Sequence, residues 1–370
     1  RRGGRRTAGL GALVGAVLVL GACGPEGGDA GTTSGDREST YKRVIEDPHP
    51  SPADVIEAAG APSGVVSAGD GSLLLTYEAN NVEDDEGPAA TAWRIVGPDG
   101  RTVAEHAEHA DAEDVQPVFR GVRGGFVQVP GDRGAYTLDV RGKRAELALT
   151  ETPLRTRPGD VLLSEVESAL VYRPATRTVA PPAGLPDEAV HVAVDERGTV
   201  WSLDQSLSEE PHRVVWQRDG RTLGSEAVPK AYGVAALAAR GGTAAVALDT
   251  DEGVRGLLLT SDGGEHWRTV LAGGIPWNDL GRGQELFVLE VLADGRLLVG
   301  EVGGRYWLAA APADSAFREI ETPAKFTSLT VEGTTLYGIV DATTATYDLV
   351  RDEGLWVSDD GGREWRRMSG

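Results

Sequence analysis

The chain carries "TSDGGEHW" at Thr260–Trp267 and "VSDDGGREW" at Val357–Trp365. Aligned, the two stretches share a hydroxyl residue, then Asp, Gly and Trp at the same offsets: Thr260, Asp262, Gly264 and Trp267 against Ser358, Asp360, Gly362 and Trp365. Each follows an apolar run, and each tryptophan is followed by arginine. These residue types describe a turn. An aspartate accepts hydrogen bonds from the amides of its own turn. A glycine reaches positive φ without steric cost, and a Ser or Thr hydroxyl bonds locally. A tryptophan after the turn supplies a large apolar surface to pack. The expected role is structural: a hairpin turn that folds its tryptophan back into the protein.

Working outward, the turn belongs to a repeat. The segment ending at Phe317 lies in register with Trp267 and Trp365, and "PDGRTVAE" at 98–105 is echoed by "RDGRTLGSE" at 218–226. With weaker members included, turns fall near Gly100, Gly142, Ala175, Gly220, Gly263, Asp314 and Gly361. Their spacing of about 44 residues lies in the range of propeller blades. Between them, short runs of Val, Leu, Thr and Tyr are separated by Asp-Gly or Gly-rich pairs, as in 64–79, 190–204, 288–302 and 328–341. Such pairs mark hairpins. No amphipathic helix of three turns is read after residue 60. The expectation is an all-β protein, a single β-propeller of four-stranded blades over 53–370, with seven blades preferred and six or eight left open. The third unit, near 160–182, is the shortest. One such blade cannot bury both its faces alone, whereas a closed ring can.

The two turns resemble the Asp-box, or BNR repeat, of sialidase-type propellers, whose pattern is Ser/Thr-x-Asp-x-Gly-x-Thr-Trp. Here His266 and Glu364 replace the Thr before Trp, and the Phe317 segment is a degenerate third copy. The ring as a whole is similar in texture to WD40 and YVTN propellers. In the family the boxes sit on the outer rim, away from the active centre. The resemblance implies a sialidase-type exo-glycosidase as an alternative function. That would need three convergent arginines, a Tyr–Glu pair and an acid/base Asp. The stretch "WRIVGP" at Trp93–Pro98 departs from the family's Arg-Ile/Leu-Pro motif, with Val96 in place of Pro, and Arg94 falls on the third strand of its unit. Other Asp-box propellers serve as assembly factors for envelope complexes, a further alternative.

The N-terminal segment carries an address. Arg1, Arg2, Arg5 and Arg6 precede an uncharged apolar stretch, Ala8–Leu20. A basic head, a short apolar core and small residues at a cleavage site describe a secretory signal. The tetrad Leu20, Gly21, Ala22, Cys23 resembles the lipobox of bacterial lipoproteins, which implies acylation of the Cys23 thiol. Cys23 is the only cysteine, so it has no disulfide partner within the chain. The expected division is a signal peptide at 1–22, a lipidated Cys23 and Gly/Ser/Thr-rich tether at 23–52, and the propeller at 53–370, with a turn or two of helix at Ala53–Ala59. The expected location is the outer face of the cell membrane, anchored by lipid.

The net charge of −21 argues against nucleic acid and anionic lipid headgroups as ligands. "HAEHADAED" at His106–Asp114 mixes two histidines with four acids. Read as a loop between the first two blades, it offers His106, His109 and Asp111 as weak metal-ligand candidates. An acidic loop at 80–87 and a long inter-blade loop at 273–285, with Trp277 expected to plug the blade interface, complete the candidates. No P-loop, dinucleotide fingerprint, nucleophile elbow or HExxH pattern is present. The reading is of a monomeric, cofactor-free binding module for an envelope protein or glycan.

Overall fold

The computed structural model describes residues 34–80, 88–111, 118–129, 135–164, 169–186, 188–204, 212–271, 274–277, 280, 287–340 and 352–368. Two helices lead into seven four-stranded sheets. The sheets are the blades of a propeller and follow one another along the chain: 64–111, 119–146, 148–180, 189–227, 233–270, 287–320 and 328–367. Six blades are simple meanders of four antiparallel strands taken in chain order. Six of the seven turns read from the sequence are the bends between the third and fourth strands of these blades.

Blade three departs from the repeat. Its outermost strand, Ala148–Leu149, precedes the other three in the chain and pairs in parallel with Thr178–Ala180. The chain leaves the outer strand of blade two, Arg144–Glu146, and runs straight on to the rim of blade three before turning inward. Ala175 therefore marks the bend between the second and third strands there, not between the third and fourth.

The core lies between blades. In blade four, Trp201, Leu203, Val214 and Trp216 face blade five, where they meet Leu237, Val246 and Leu258. The alternate residue Val200 packs with Ala169 and Val192 on the blade-three side. This two-faced burial follows from the period-two alternation of a strand. Trp201 and Trp216 stack with centroids 5.6 Å apart.

No strand is exchanged between the first and last blades: each keeps four strands from its own segment. The seam is instead filled by the helices. α1, Ser34–Glu46, and α2, Pro52–Ala59, place Tyr41, Val44, Ile45, Val55, Ala58 and Ala59 in one cluster with blade-one and blade-seven residues. The blade-one members include Leu75 and Tyr77, and the blade-seven members include Leu355 and Val357. Ser51 caps α2, accepting from the Asp54 amide at 3.2 Å, and Pro52 opens it. The stretch 34–52 was expected as part of a tether. From Tyr41 on it belongs to the folded body, because Tyr41, Val44 and Ile45 fall at helical spacing and bury one stripe.

The two ends of the ring differ. Strands alternate in direction, so the first-to-second and third-to-fourth bends share one end. These are tight turns such as 68–72, 98–101, 195–198, 219–220 and 293–296. Second-to-third bends and blade-to-blade connections share the other end. Several of the longer intervals between strands fall there, 81–87, 112–118, 205–212, 271–286 and 341–353, beside short ones such as 251–252, whereas the longest third-to-fourth bends at the first end are the seven-residue turns 261–267, 310–316 and 359–365.

Candidate functional site

The opening turns sit at the tight-turn end. Thr260 Oγ1 donates to Asp262 Oδ1 at 2.9 Å and accepts from the Gly264 amide at 3.1 Å. Asp262 also accepts from the His266 amide at 3.0 Å and meets His266 Nδ1 at 2.7 Å. Ser358, Asp360 and Gly362 repeat the arrangement: 2.8 Å from hydroxyl to carboxylate, and 2.7 Å from amide to hydroxyl. Amide donors hold both carboxyls below the ordinary range of an aspartate. Trp267 packs on Trp201 and Trp216 of the preceding blade. Trp365 packs on Phe326 at 4.9 Å and donates its Nε1 to the Glu321 carbonyl at 3.1 Å. The turns clamp one blade to the one before. The same Asx chemistry runs round this end: Asp70, Asp99, Asp139, Asp195 and Asp294 each accept the amide two residues on.

This has a pH consequence. A carboxyl whose folded pKa lies below the unfolded value of about 3.9 adds stability above that value and loses it as pH falls through the folded pKa. The carboxyl carbons of Asp262 and Asp360 are expected to titrate below exposed aspartates in an NMR pH series. Titration at the ordinary value would mean that the turn amides do not hold them.

A cavity with titratable side chains lies at the opposite end. It has a volume of about 310 Å³ and opens between blades four and five, lined by His212, Lys230, Tyr232, Gly233, Thr250 and Asp251 among others. Lys230 and Tyr232 come from the connection between the blades, held as a turn by the Tyr232 amide on the Pro229 carbonyl at 2.9 Å. His212 leads into the third strand of blade four, Arg213–Arg218, and its Nδ1 is buried without a hydrogen-bond partner among the described residues. Beside the cavity, Asp249 reaches over Gly233. A Cβ on Gly233 would lie 2.5 Å from Asp249 Oδ1.

His191 completes the group. It sits on the innermost strand of blade four, Ala189–Val194, at a register shift and with φ of +47°. Positive φ at a non-glycine residue is a strained state that tends to collect at functional sites. Burial pushes its imidazole below the usual range, while the Asp249 charge pulls the other way. Burial raises the Asp249 carboxyl, against its own backbone hydrogen bond and His191, with Asp251 adding to the rise. The cavity itself thus offers an imidazole, a lysine, a hydroxyl and a carboxylate, from His212, Lys230, Thr250 and Asp251, while His191 and Asp249 interact with each other beside it, Asp249 lying over the lining residue Gly233. Linkage fixes the sign for His191. The unfolded chain takes the proton first, so stability is complete above about pH 6.5 and falls as pH drops below it. An imidazole titration showing His191 at or above an exposed histidine would contradict this.

The residues read from the sequence distribute as follows. Cys23 and the lipobox Leu20, Gly21 and Ala22 lie outside the described residues, as does 81–87. The stretch from His106 to Asp111 is not a loop but part of the outer strand Thr102–Asp111 of blade one. Odd spacing on a strand sends His106 and His109 to opposite faces. His106 lies against Trp93, with ring centroids 5.6 Å apart, and His109 Nε2 meets the Ile45 carbonyl at 3.0 Å. These two do not assemble a metal site, and the side chain of Asp111 lies outside the described residues. Among the described residues, metal-type donor atoms gather only at Asp262, Glu265 and His266, all exposed and within the box turn. Trp277 is 8% exposed and packs between blades five and six, as expected. The innermost strands carry two arginines, Arg120 and Arg240. Arg120 donates to the Leu163 carbonyl at 3.3 Å and Arg240 to Glu196 at 2.6 Å, so the described inner strands bring no arginine triad together. Sequence reading missed the cavity between blades four and five. Its lone signals were His191, His212 and Lys230, far apart in the chain.

Comparison with protein-family profiles and with curated protein sequences returns no match. Solved structures do match in fold. The β-propeller domain of the Trilobed protease from Pyrococcus furiosus, described as having an open velcro topology, aligns with TM-score 0.51 and 9% identity over 84% of this chain and 98% of that one. A puromycin-hydrolysing peptidase of Mycobacterium tuberculosis aligns with TM-score 0.49 and 16% identity over 86% of this chain and 55% of that one. A further puromycin hydrolase aligns with TM-score 0.48 and 15% identity over 85% and 54%. This chain spans about half the length of those two peptidases. At such identities the likeness is one of fold: the chain is a seven-bladed β-propeller whose terminal blades each keep their own strands.

Proposed function

We propose that this protein is a lipid-anchored, extracytoplasmic binding propeller of Asp-box type. In this reading it recognises a protein at the cell envelope through its loop end and performs no chemistry of its own. The observation that carries the reading is the asymmetry of the ring. One end is closed by tight, self-satisfied turns, and the other gathers the longer connections and the polar cavity between blades four and five. Loops on a rigid scaffold are where recognition concentrates. The sequence places acids in several of those connections: Glu83 to Glu86, Glu113 and Asp114, Glu209 and Glu210, Asp251 and Glu252. Together with the overall charge, this favours a basic polypeptide segment over a neutral glycan.

The test is site-specific photocrosslinking in cells. A crosslinker at Tyr232 is expected to capture a defined protein, and one at Asp219, in the tight-turn end, is not. Equal capture from both ends, or capture of wall polysaccharide alone, overturns the proposal. The anchor is tested separately. Cys23→Ser is expected to release the protein to the medium or leave it unprocessed, and membrane retention of a processed form would rule out the lipid.

A further inference from the structure

A second cavity, of about 480 Å³, lies at the seam where the ring closes, under α2 and between blades one and seven. One side of its wall is apolar, with Ile56 from α2, Leu75 and Val96 from blade one, and Leu355 and Met368 from blade seven, and the rest is polar. Two guanidiniums line it. Arg94 is neutralised, with its Nε 2.6 Å from Glu105 Oε1. Arg367 is not. It donates to the Glu353 carbonyl and has no carboxylate partner among the described residues. Gly354, at φ of +134°, lets that guanidinium lie across the backbone, since a Cβ there would stand 3.0 Å from Arg367 Nε. Glu57 and Glu353 also line the cavity. Glu353 is buried, and Glu57 is exposed.

We infer that this cavity binds an anionic amphiphile, with its chain against the apolar wall and its carboxylate on Arg367. The volume falls in the range of small-molecule sites and suits a chain of about ten carbons. An apolar wall supplies affinity in proportion to the area removed from water. A guanidinium with unused donors fixes an anionic head. A ligand so placed would touch the three elements that meet at the seam, and would tighten the closure of the ring. The inference is independent of the loop-end reading, because the two sites occupy different blades.

Thermal unfolding of the folded chain with decanoate, decylamine or decanol, each below its micelle concentration, tests it. Decanoate at ten times its Kd is expected to raise Tm by roughly 2–4 °C. The exposed substitution Arg367→Gln is expected to remove most of that shift, and Glu57→Gln to enlarge it. Ile56→Trp, which fills the cavity, is expected to abolish it with an unchanged circular dichroism spectrum. No shift with decanoate, an equal shift with decylamine or decanol, or indifference to Arg367→Gln would each overturn the inference.

Discussion

Val55→Asp is expected to open the ring. Val55 is fully buried at the seam, in the one cluster that joins α1 and α2 to blades one and seven. A carboxylate there would be set among the apolar side chains of that cluster, and leaving it unpaired costs about 4 kcal/mol or more. Ordinary domains hold only about 5–15 kcal/mol in total. The reason to expect an effect on the whole ring is topological. Since the terminal blades share no strand, their contact rests on side-chain packing, and the helices contribute a large part of it. Urea unfolding followed by fluorescence measures the loss, and limited proteolysis reports whether cleavage begins near the seam. Val55→Ala separates packing from charge. It should cost about 1–3 kcal/mol for the lost burial alone. If Val55→Asp behaves like a surface change, the helices lie on the ring without closing it.

How much of this was legible follows from which forces are local. The Gly turns and the period-two runs are local, so the preferred blade number and all six third-to-fourth bends could be read directly, the seventh turn falling between the second and third strands of blade three. Blade three broke the rule because its outer strand is Ala148–Leu149, two exposed residues that carry no burial pattern. Nothing in so short a run marks parallel pairing with a strand about thirty residues later. α1 was hidden by composition: Ser34–Glu46 is mostly polar, and only Tyr41, Val44 and Ile45 form its stripe. His106 and His109 misled because charge and histidine suggest a loop, and the run Thr102–Asp111 carries no period-two apolar alternation, since it is the wet outer strand of its blade. The cavity between blades four and five could not be read at all. His212, Lys230 and Asp251 meet there only through tertiary packing.

The second large effect distinguishes two adjacent glycines in the opening turn. Gly263 and Gly264 both have positive φ, +81° and +95°. A Cβ on Gly263 would meet nothing within 4 Å, while one on Gly264 would lie 2.4 Å from Trp216 Cε2. Gly263→Ala therefore carries only the backbone strain of a left-handed residue, about 1 kcal/mol. Gly264→Ala adds a collision with a tryptophan that is itself wedged between Trp201 and Trp267. That ring cannot retreat without unpacking blade four from blade five, and overpacking of this kind costs about 1–3 kcal/mol more. The expected total for Gly264→Ala is about 2–4 kcal/mol, read as a fall in the urea midpoint at unchanged slope. Equal losses at the two positions would mean that the turn yields and that the Trp216 contact is soft. A larger loss at Gly264 would show why both turns carry a glycine at this offset: the residue is the point where one blade touches the next, and the turn is a fastener.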